Sequence, residues 1–143
     1  MPREMTEDEV RRFLEAGTRT AKVATVARDG RPHLMPVWFV LDGDELVFTT
    51  GKDTLKARHL RRDDRIAMCV DDDAPPFAFV SVRGRAQLIE RADDLLDWTT
   101  RIAERYMGPE QAEAYGRRNA TPGELLVRVT PGRITSETDV AGW

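Results

Sequence analysis

Cysteine is almost absent from this chain: Cys69 is the only one in 143 residues, so no disulfide framework can form within it. Cys69 lies inside the apolar run Ile66–Val70, where a small buried hydrophobe is expected and a reactive thiol is the other reading. Histidine is nearly as scarce. His33 and His59 are the only two, and neither has a cysteine or carboxylate at the spacings that metal centres use, so no metal site is expected. No apolar run approaches the roughly 20 residues that span a bilayer, and the first ten residues, MPREMTEDEV, lack the apolar core of a signal peptide. The expectation is a cytoplasmic protein with no membrane partner. A Gly-x-Ser-x-Gly elbow, a Cys/His nucleophile signature, a P-loop and a dinucleotide Gly-x-Gly-x-x-Gly are all missing. The net charge of −3 and the run Asp71-Asp72-Asp73 offer no basic track, so nucleic acid is not an expected partner. Catalytic side chains are therefore few. If the chain is an enzyme, a bound cofactor performs the reaction and the protein binds and orients.

What is present suits one globular domain over residues 1–143, long enough to bury a core without covalent staples. Thr6-Glu7-Asp8-Glu9 has the form of a capping box with Met5 and Val10 placed as a hydrophobic staple. It predicts a helix to about Ala16 that buries Val10, Phe13 and Leu14 and stops at Gly17. Residues 21–28 (AKVATVAR) and 31–41 (RPHLMPVWFVL) are rich in β-branched and aromatic residues, and Asp29-Gly30 between them predicts a hairpin closed by a two-residue type I′ turn. The second strand is apolar on both faces, as a central strand is. Yet Pro32 and Pro36 have no N–H for a ladder and, four apart, silence the same edge. That combination marks a place where pairing is interrupted and a ligand can approach the backbone.

Asp42-Gly43-Asp44 predicts a second tight turn into residues 45–50, completing a three-stranded antiparallel meander. A short basic helix follows from near Asp53. Residues 65–71 read as a strand, and the acidic, proline-containing stretch 71–76 as a solvated loop. In residues 77–90, Val80, Val82, Gly84, Ala86 and Leu88 alternate with Ser81, Arg83, Arg85 and Gln87, and Gly84 predicts a bulge or a sharp bend of the kind that closes barrels. Leu95, Trp98, Ile102 and Tyr106 have helical spacing; Gly108-Pro109 ends that helix and begins a shorter one to about Tyr115. Residues 125–130 form the last strand, before Pro131-Gly132 and a polar tail. Six short strands with helical insertions predict a small, mostly antiparallel β-barrel.

The chemistry that remains is concentrated after the third strand. Lys52, Lys56 and Arg58 stand beside Thr49, Thr50 and a helix start, a combination that suits a phosphate; a solvated helix face is the other reading. Arg61, Arg62 and Arg65 are paired in sequence with Asp63 and Asp64 and read as such a face. Trp38 and Phe39 suit the core or a ring. Phe77, after the stiff Pro75-Pro76, suits the core, a flat ligand or a partner subunit.

The succession TVARDGRPHLMPVWFVLDGDELVFTTGKDTLKARHLRRDDRIAMCVDD, then FVSVRGRAQLI, resembles the pyridoxamine-phosphate-oxidase-like split β-barrel superfamily, and within it the flavin/deazaflavin oxidoreductase branch, many of whose members use coenzyme F420. The resemblance extends more weakly through ERYMGPEQAEAYGRRNATPGELLVRVTPGRI. It implies a mainly β fold, a six-stranded antiparallel split barrel of the FMN-binding, Greek-key type with short helices. It also implies a homodimer with the cofactor at the interface. The backbone from His33 through Pro36 and Val37 to Trp38 would lie along the ring system, and Thr49, Thr50 and Lys56 would hold the phosphate. Relatives commonly carry arginine where this chain has Thr54, so Lys52 is expected to supply that charge, and His59 stands where asparagine is frequent. The implied activity is hydride transfer from reduced coenzyme F420 to a conjugated or quinone-like small molecule. FMN-dependent oxidase or reductase chemistry, and non-catalytic binding of flavin or haem, are the alternatives.

Overall fold

The computed structural model describes residues 1–142; Trp143 lies outside the described residues. Helix α1 (Glu7–Glu15) opens the chain behind the predicted capping box: the Glu9 amide donates to the Thr6 hydroxyl at 3.2 Å and the Thr6 amide to the Glu9 carboxylate at 2.8 Å. Such a cap satisfies helix donors that would otherwise be orphaned, worth about 1 kcal/mol. Leu14 is buried, with Val10 and Phe13 packed against the core beside it.

The strands are β1 (Ala21–Val26), β2 (Pro32–Val37), β3 (Val40–Asp42), β4 (Glu45–Gly51), β5 (Arg65–Asp72), β6 (Ala78–Ile89) and β7 (Glu124–Glu137). They form one antiparallel sheet in the order β2-β1-β5-β6-β7-β4-β3. Between them lie α2 (Leu55–Arg62), α3 (Leu95–Met107) and α4 (Ala112–Asn119).

The order corrects the predicted meander. The single strand expected over residues 31–41 breaks at Trp38-Phe39; its first half pairs with β1 and its second half with β4, at opposite ends of the sheet. Seven strands thus stand where six were predicted. The two end strands are joined covalently by two residues, which closes the sheet into a barrel whose seam is chain connectivity. β2 is accordingly an edge strand, contrary to its central-strand hydropathy, and both Leu34 (64% exposed) and Met35 (45%), on its two faces, are left uncovered. An edge needs no donors on its outer side, which is where proline is tolerated.

The first hairpin turn also differs from expectation. Gly30 donates to the Ala27 carbonyl and Ala27 to that of Arg31, both at 2.9 Å, and of the loop residues only Gly30 has positive φ, at 89°. This is a three-residue loop, with glycine taking the left-handed position that the type I′ turn would have demanded of Asp29 as well. The polar tail proves to be strand: β7 continues through Pro131 to Glu137 against β6. The predicted bulge permits it. Gly84 pairs with Pro131 and Arg83 with Arg133, leaving Gly132 as the extra residue, and a Cβ on Gly84 would sit 2.2 Å from the Thr130 carbonyl oxygen. The last helix begins at Ala112 and ends at Asn119, later than expected, with Gly116 pressed against Thr100 of α3.

Inside the barrel Val23, Phe39, Phe48, Met68, Val70, Val80, Val82, Val127 and Val129 are fully buried. The opposite face of β4 and β7 is covered by α3, where Val47 and Leu126 pack on Trp98. Cys69 is half-buried, and burial pushes its thiol up, away from the reactive thiolate. Among the described residues no helix is long and apolar enough to cross a membrane.

Candidate cofactor site

The break between β2 and β3 leaves backbone groups that no strand satisfies, and α3 supplies the partners. Tyr106 Oη accepts from the Phe39 amide at 3.2 Å and donates to the Arg19 carbonyl at 2.9 Å. Arg105 donates to the carbonyls of Phe39 (2.8 Å), Leu14 (2.7 Å) and Gly17 (3.0 Å) and stacks on the Phe39 ring. The Trp38 indole lies flat on Tyr106, with centroids 5.1 Å apart and planes 4° from parallel. Two adjacent residues of one helix therefore set the place and tilt of Trp38.

Beside this wall is a cleft of about 260 Å³ lined by Pro36, Val37, Trp38, Thr49 and Lys56, with Thr99 and Ile102 of α3, Asn119 of α4 and Glu124 of β7. Strand period explains the grouping. Thr49 and Gly51 share the outer face of β4 with Val47, and the register places Leu126 opposite Thr49 and Glu124 opposite Gly51. The apolar part of that face is sealed by α3, and its polar end opens as the cleft. Thr54 caps α2 by accepting from the Ala57 amide at 3.3 Å, so the helix starts where Lys56, in its first turn, reaches the cleft.

Lys56 and Glu124 are both half-buried. Burial pushes the Lys56 ammonium below its ordinary value, partly countered by Glu124. Burial likewise pushes the Glu124 carboxyl up, while Thr49 and Lys56 draw it back.

Five of the ten residues singled out in the sequence thus meet: Pro36, Val37, Trp38, Thr49 and Lys56. The other five do not line the cleft. Thr50 points to the opposite face of β4, buried, and shares a 2.8 Å hydrogen bond with the Thr54 hydroxyl inside the helix-capping network. Thr54 is therefore structural here, which accounts for a hydroxyl at that position. Lys52 is exposed, its stem against Gly123, and Arg58 is exposed one helical face away from Lys56. His33 packs edge-on to His59 with ring centroids 5.6 Å apart; its Nδ1 is buried without a partner, and His59 Nδ1 is 2.8 Å from the Thr25 hydroxyl. Phe77 is 41% exposed, with φ 66°, beside Val140. Thr99, Ile102, Asn119 and Glu124 were not foreseen. No local signal marks them, because their place depends on how α3 and α4 cross the sheet.

A larger cleft of about 740 Å³ lies under α1 and against β7. It contains none of the ten residues, and its wall sets Glu4, Glu7, Asp8, Asp44 and Glu45 against the cation of Arg11, itself paired with Asp44, which makes it hostile to an anion.

The smaller cleft fits one flank of a planar ring with an anionic tether. Pro36 presents strand edge without a donor, Trp38 presents an immobilised aromatic, and Thr49 and Lys56 present a hydroxyl and a cation. Its volume falls just short of the roughly 300–1,000 Å³ of complete small-molecule sites. A cleft of that size would take in only part of such a ligand.

Comparison with known proteins agrees with the architecture. Over 76 residues, 48% of this chain, the sequence is 34% identical to a 5a,11a-dehydrotetracycline/5a,11a-dehydrooxytetracycline reductase of Streptomyces rimosus, and the match spans about half of that relative's length, 54%. A solved structure of a conserved hypothetical protein from Mycobacterium tuberculosis superposes with a TM-score of 0.84 at 29% identity, covering 94% of this chain and 86% of the other. A structure described as an F420 reductase superposes with a TM-score of 0.70 at 26% identity, covering 86% and 93%. The profile of the pyridoxamine 5'-phosphate oxidase family matches residues 6–136, nearly the whole sheet with α1 to α4, and the chain belongs to that family.

Proposed function

We propose that this protein is an oxidoreductase that uses coenzyme F420 to reduce a conjugated or quinone-like small molecule. The observation that carries the reading is Lys56: a half-buried ammonium in the wall of a cleft whose other side is the donor-poor strand edge and the clamped Trp38. The likeness to an F420 reductase and to a reductase of dehydrogenated tetracyclines supports the choice of cofactor and of acceptor class. When bound, the reduced deazaflavin supplies a hydride, which the acceptor takes up together with a proton from solvent. The chain's own work is placement. Pro36, Val37 and Trp38 would hold the ring plane, and Thr49 and Lys56 would hold the phosphate tether. Orientation of donor and acceptor then provides most of the rate gain. Because one chain encloses only part of the ligand and Leu34 and Met35 are exposed on β2, the reading includes a homodimer with the cofactor at its interface.

Titration with coenzyme F420 and with FMN, followed by their distinct fluorescence, tests it. F420 is expected to bind, and Lys56→Ala to weaken it about 10- to 100-fold, the worth of one charge-assisted hydrogen bond, with an unchanged far-ultraviolet circular dichroism spectrum. Reduced F420 should then be oxidised by quinones or conjugated enones. Unchanged affinity in the variant removes the site; binding without turnover of any acceptor replaces the enzyme by a cofactor-storage protein.

A further inference from the structure

Glu124 is the charged group of the cleft to which that reading gives no task, and a carboxylate beside a phosphate needs a reason. Its position is built into the fold. It is the first residue of β7, paired with Gly51, and it shares a face with Thr49; a Cβ added at Gly51 would lie 3.8 Å from Glu124 Oε1. The Gly123 carbonyl, one residue back, accepts from the Lys52 amide at 2.9 Å and ties the strand start to the turn before α2. A half-buried anion is thereby held in the same wall as the half-buried cation of Lys56.

We propose that Glu124 is a specificity-determining residue: by offsetting the charge of Lys56 it makes the cleft accept a singly charged phosphodiester and disfavour a doubly charged phosphomonoester. The proposal deepens the function proposed above and rests on it. A phosphomonoester carries about −1.5 to −2 at pH 7, its second pKa being near 6, whereas a phosphodiester has one ionisable oxygen and carries a single charge. Facing Lys56 alone, the second charge would gain a second attraction. Facing a lysine and a carboxylate together, it gains attraction from one and repulsion from the other, and its desolvation is uncompensated. The hydroxyl of Thr49 and the amide of Asn119, being neutral, serve either ligand. The tether of coenzyme F420 is a phosphodiester and FMN is a phosphomonoester, so the pair sets cofactor choice in a cleft whose apolar wall has no means to distinguish them.

The experiment is fluorescence titration of the 143-residue chain and of its Glu124→Gln variant with F420, FMN and phosphate-free riboflavin. Glu124→Gln is expected to tighten FMN about tenfold, F420 less, and riboflavin not at all. Independently of any variant, lowering the pH through about 6 removes the second charge of FMN and should strengthen FMN binding to the wild-type protein. A ratio of FMN to F420 affinity that moves neither with the substitution nor with pH overturns the proposal while leaving the functional reading in place. Wild-type protein that binds none of the three ligands overturns both.

Discussion

Removing the Arg105 guanidinium should cost far more than its half-exposed position suggests. Arg105 joins three parts of the chain: the end of α1, through the Leu14 and Gly17 carbonyls; the β2–β3 break, through the Phe39 carbonyl; and α3, from which it projects. These bonds, with a longer fourth to the Ala16 carbonyl at 3.3 Å, are not equal. The Gly17 carbonyl lies in the exposed turn after α1 and regains water when the side chain is cut back, so it is worth about 0.5 kcal/mol, whereas Leu14 is buried and its carbonyl is worth about 1 kcal/mol. Phe39 is completely buried, and a carbonyl abandoned there costs about 1.5–3 kcal/mol. Loss of the guanidinium over the Phe39 ring, 4.6 Å from its centroid, adds about 0.5–1 kcal/mol. Against this stands the desolvation that lowers the Arg105 pKa, which alanine relieves. Arg105→Ala is therefore expected to lose about 3 kcal/mol, seen as a melting point lower by about 10 °C and a matching fall in the urea midpoint. Arg105→Lys keeps the charge but not the planar fork and should recover less than half of the loss. A loss under about 1 kcal/mol for alanine, or full rescue by lysine, would show that the fork to these carbonyls is not what holds the break in place.

Two further outcomes follow from the packing and the charge. Gly84→Ala drives a Cβ to 2.2 Å from a backbone oxygen that cannot rotate away, and should destabilise by about 1–3 kcal/mol. Gly132→Ala, on the other side of the same bulge, meets the Arg83 carbonyl oxygen at 3.4 Å and should be near neutral in the same urea titration; equal losses would remove the steric argument. His59 is held below its ordinary value of 6.5 first by burial, then by His33 and Arg62, with Asp29 opposing. The folded state thus favours neutral imidazole, so its stabilisation is complete above the unfolded value and fades as pH falls through the folded one. Stability measured between about pH 7 and 5 should fall on acidification, and His59→Gln should flatten that slope; an unchanged slope places the titrating group elsewhere.

How much of this could be read in the sequence depended on how local the cause was. The capping box, the Gly84 bulge and the Gly43 turn are each specified by residues a few positions apart, and all three occur as expected. Residues 31–41 were misread as one central strand because hydropathy records burial without naming what does the burying. Phe39 is buried inside the barrel, Val40 against α3, and Leu34 not at all. The prolines carried the truer signal, since a strand missing donors four residues apart has to be an edge. The extension of β7 through Pro131 was invisible for the complementary reason: a proline ends a strand unless a bulge accommodates it, and this bulge, Gly132 set against the Arg83–Gly84 step of β6, depends on a partner some forty residues away in sequence. Half of the candidate site was legible for the same cause. Pro36 to Trp38 and Thr49 to Lys56 are short runs on adjoining elements, whereas Asn119 and Glu124 arrive by way of two helices and a loop.

The cleft lies where it does because the barrel is closed by chain rather than by hydrogen bonds. A seam with a continuous ladder would satisfy its own backbone and leave no approach for a ligand. Here the ladder on one side ends at Val37 and that on the other begins at Val40, and between them the amide and carbonyl of Phe39 are satisfied from outside by Tyr106 and Arg105. Those partners sit on α3, whose Thr99 and Ile102 form the next part of the cleft wall. The element that repairs the break in the sheet is therefore also the one that shapes the pocket. A substitution that loosens α3, such as enlarging Gly116 where it meets Thr100, disturbs stability and the cleft together, while one on the far side of the barrel disturbs stability alone.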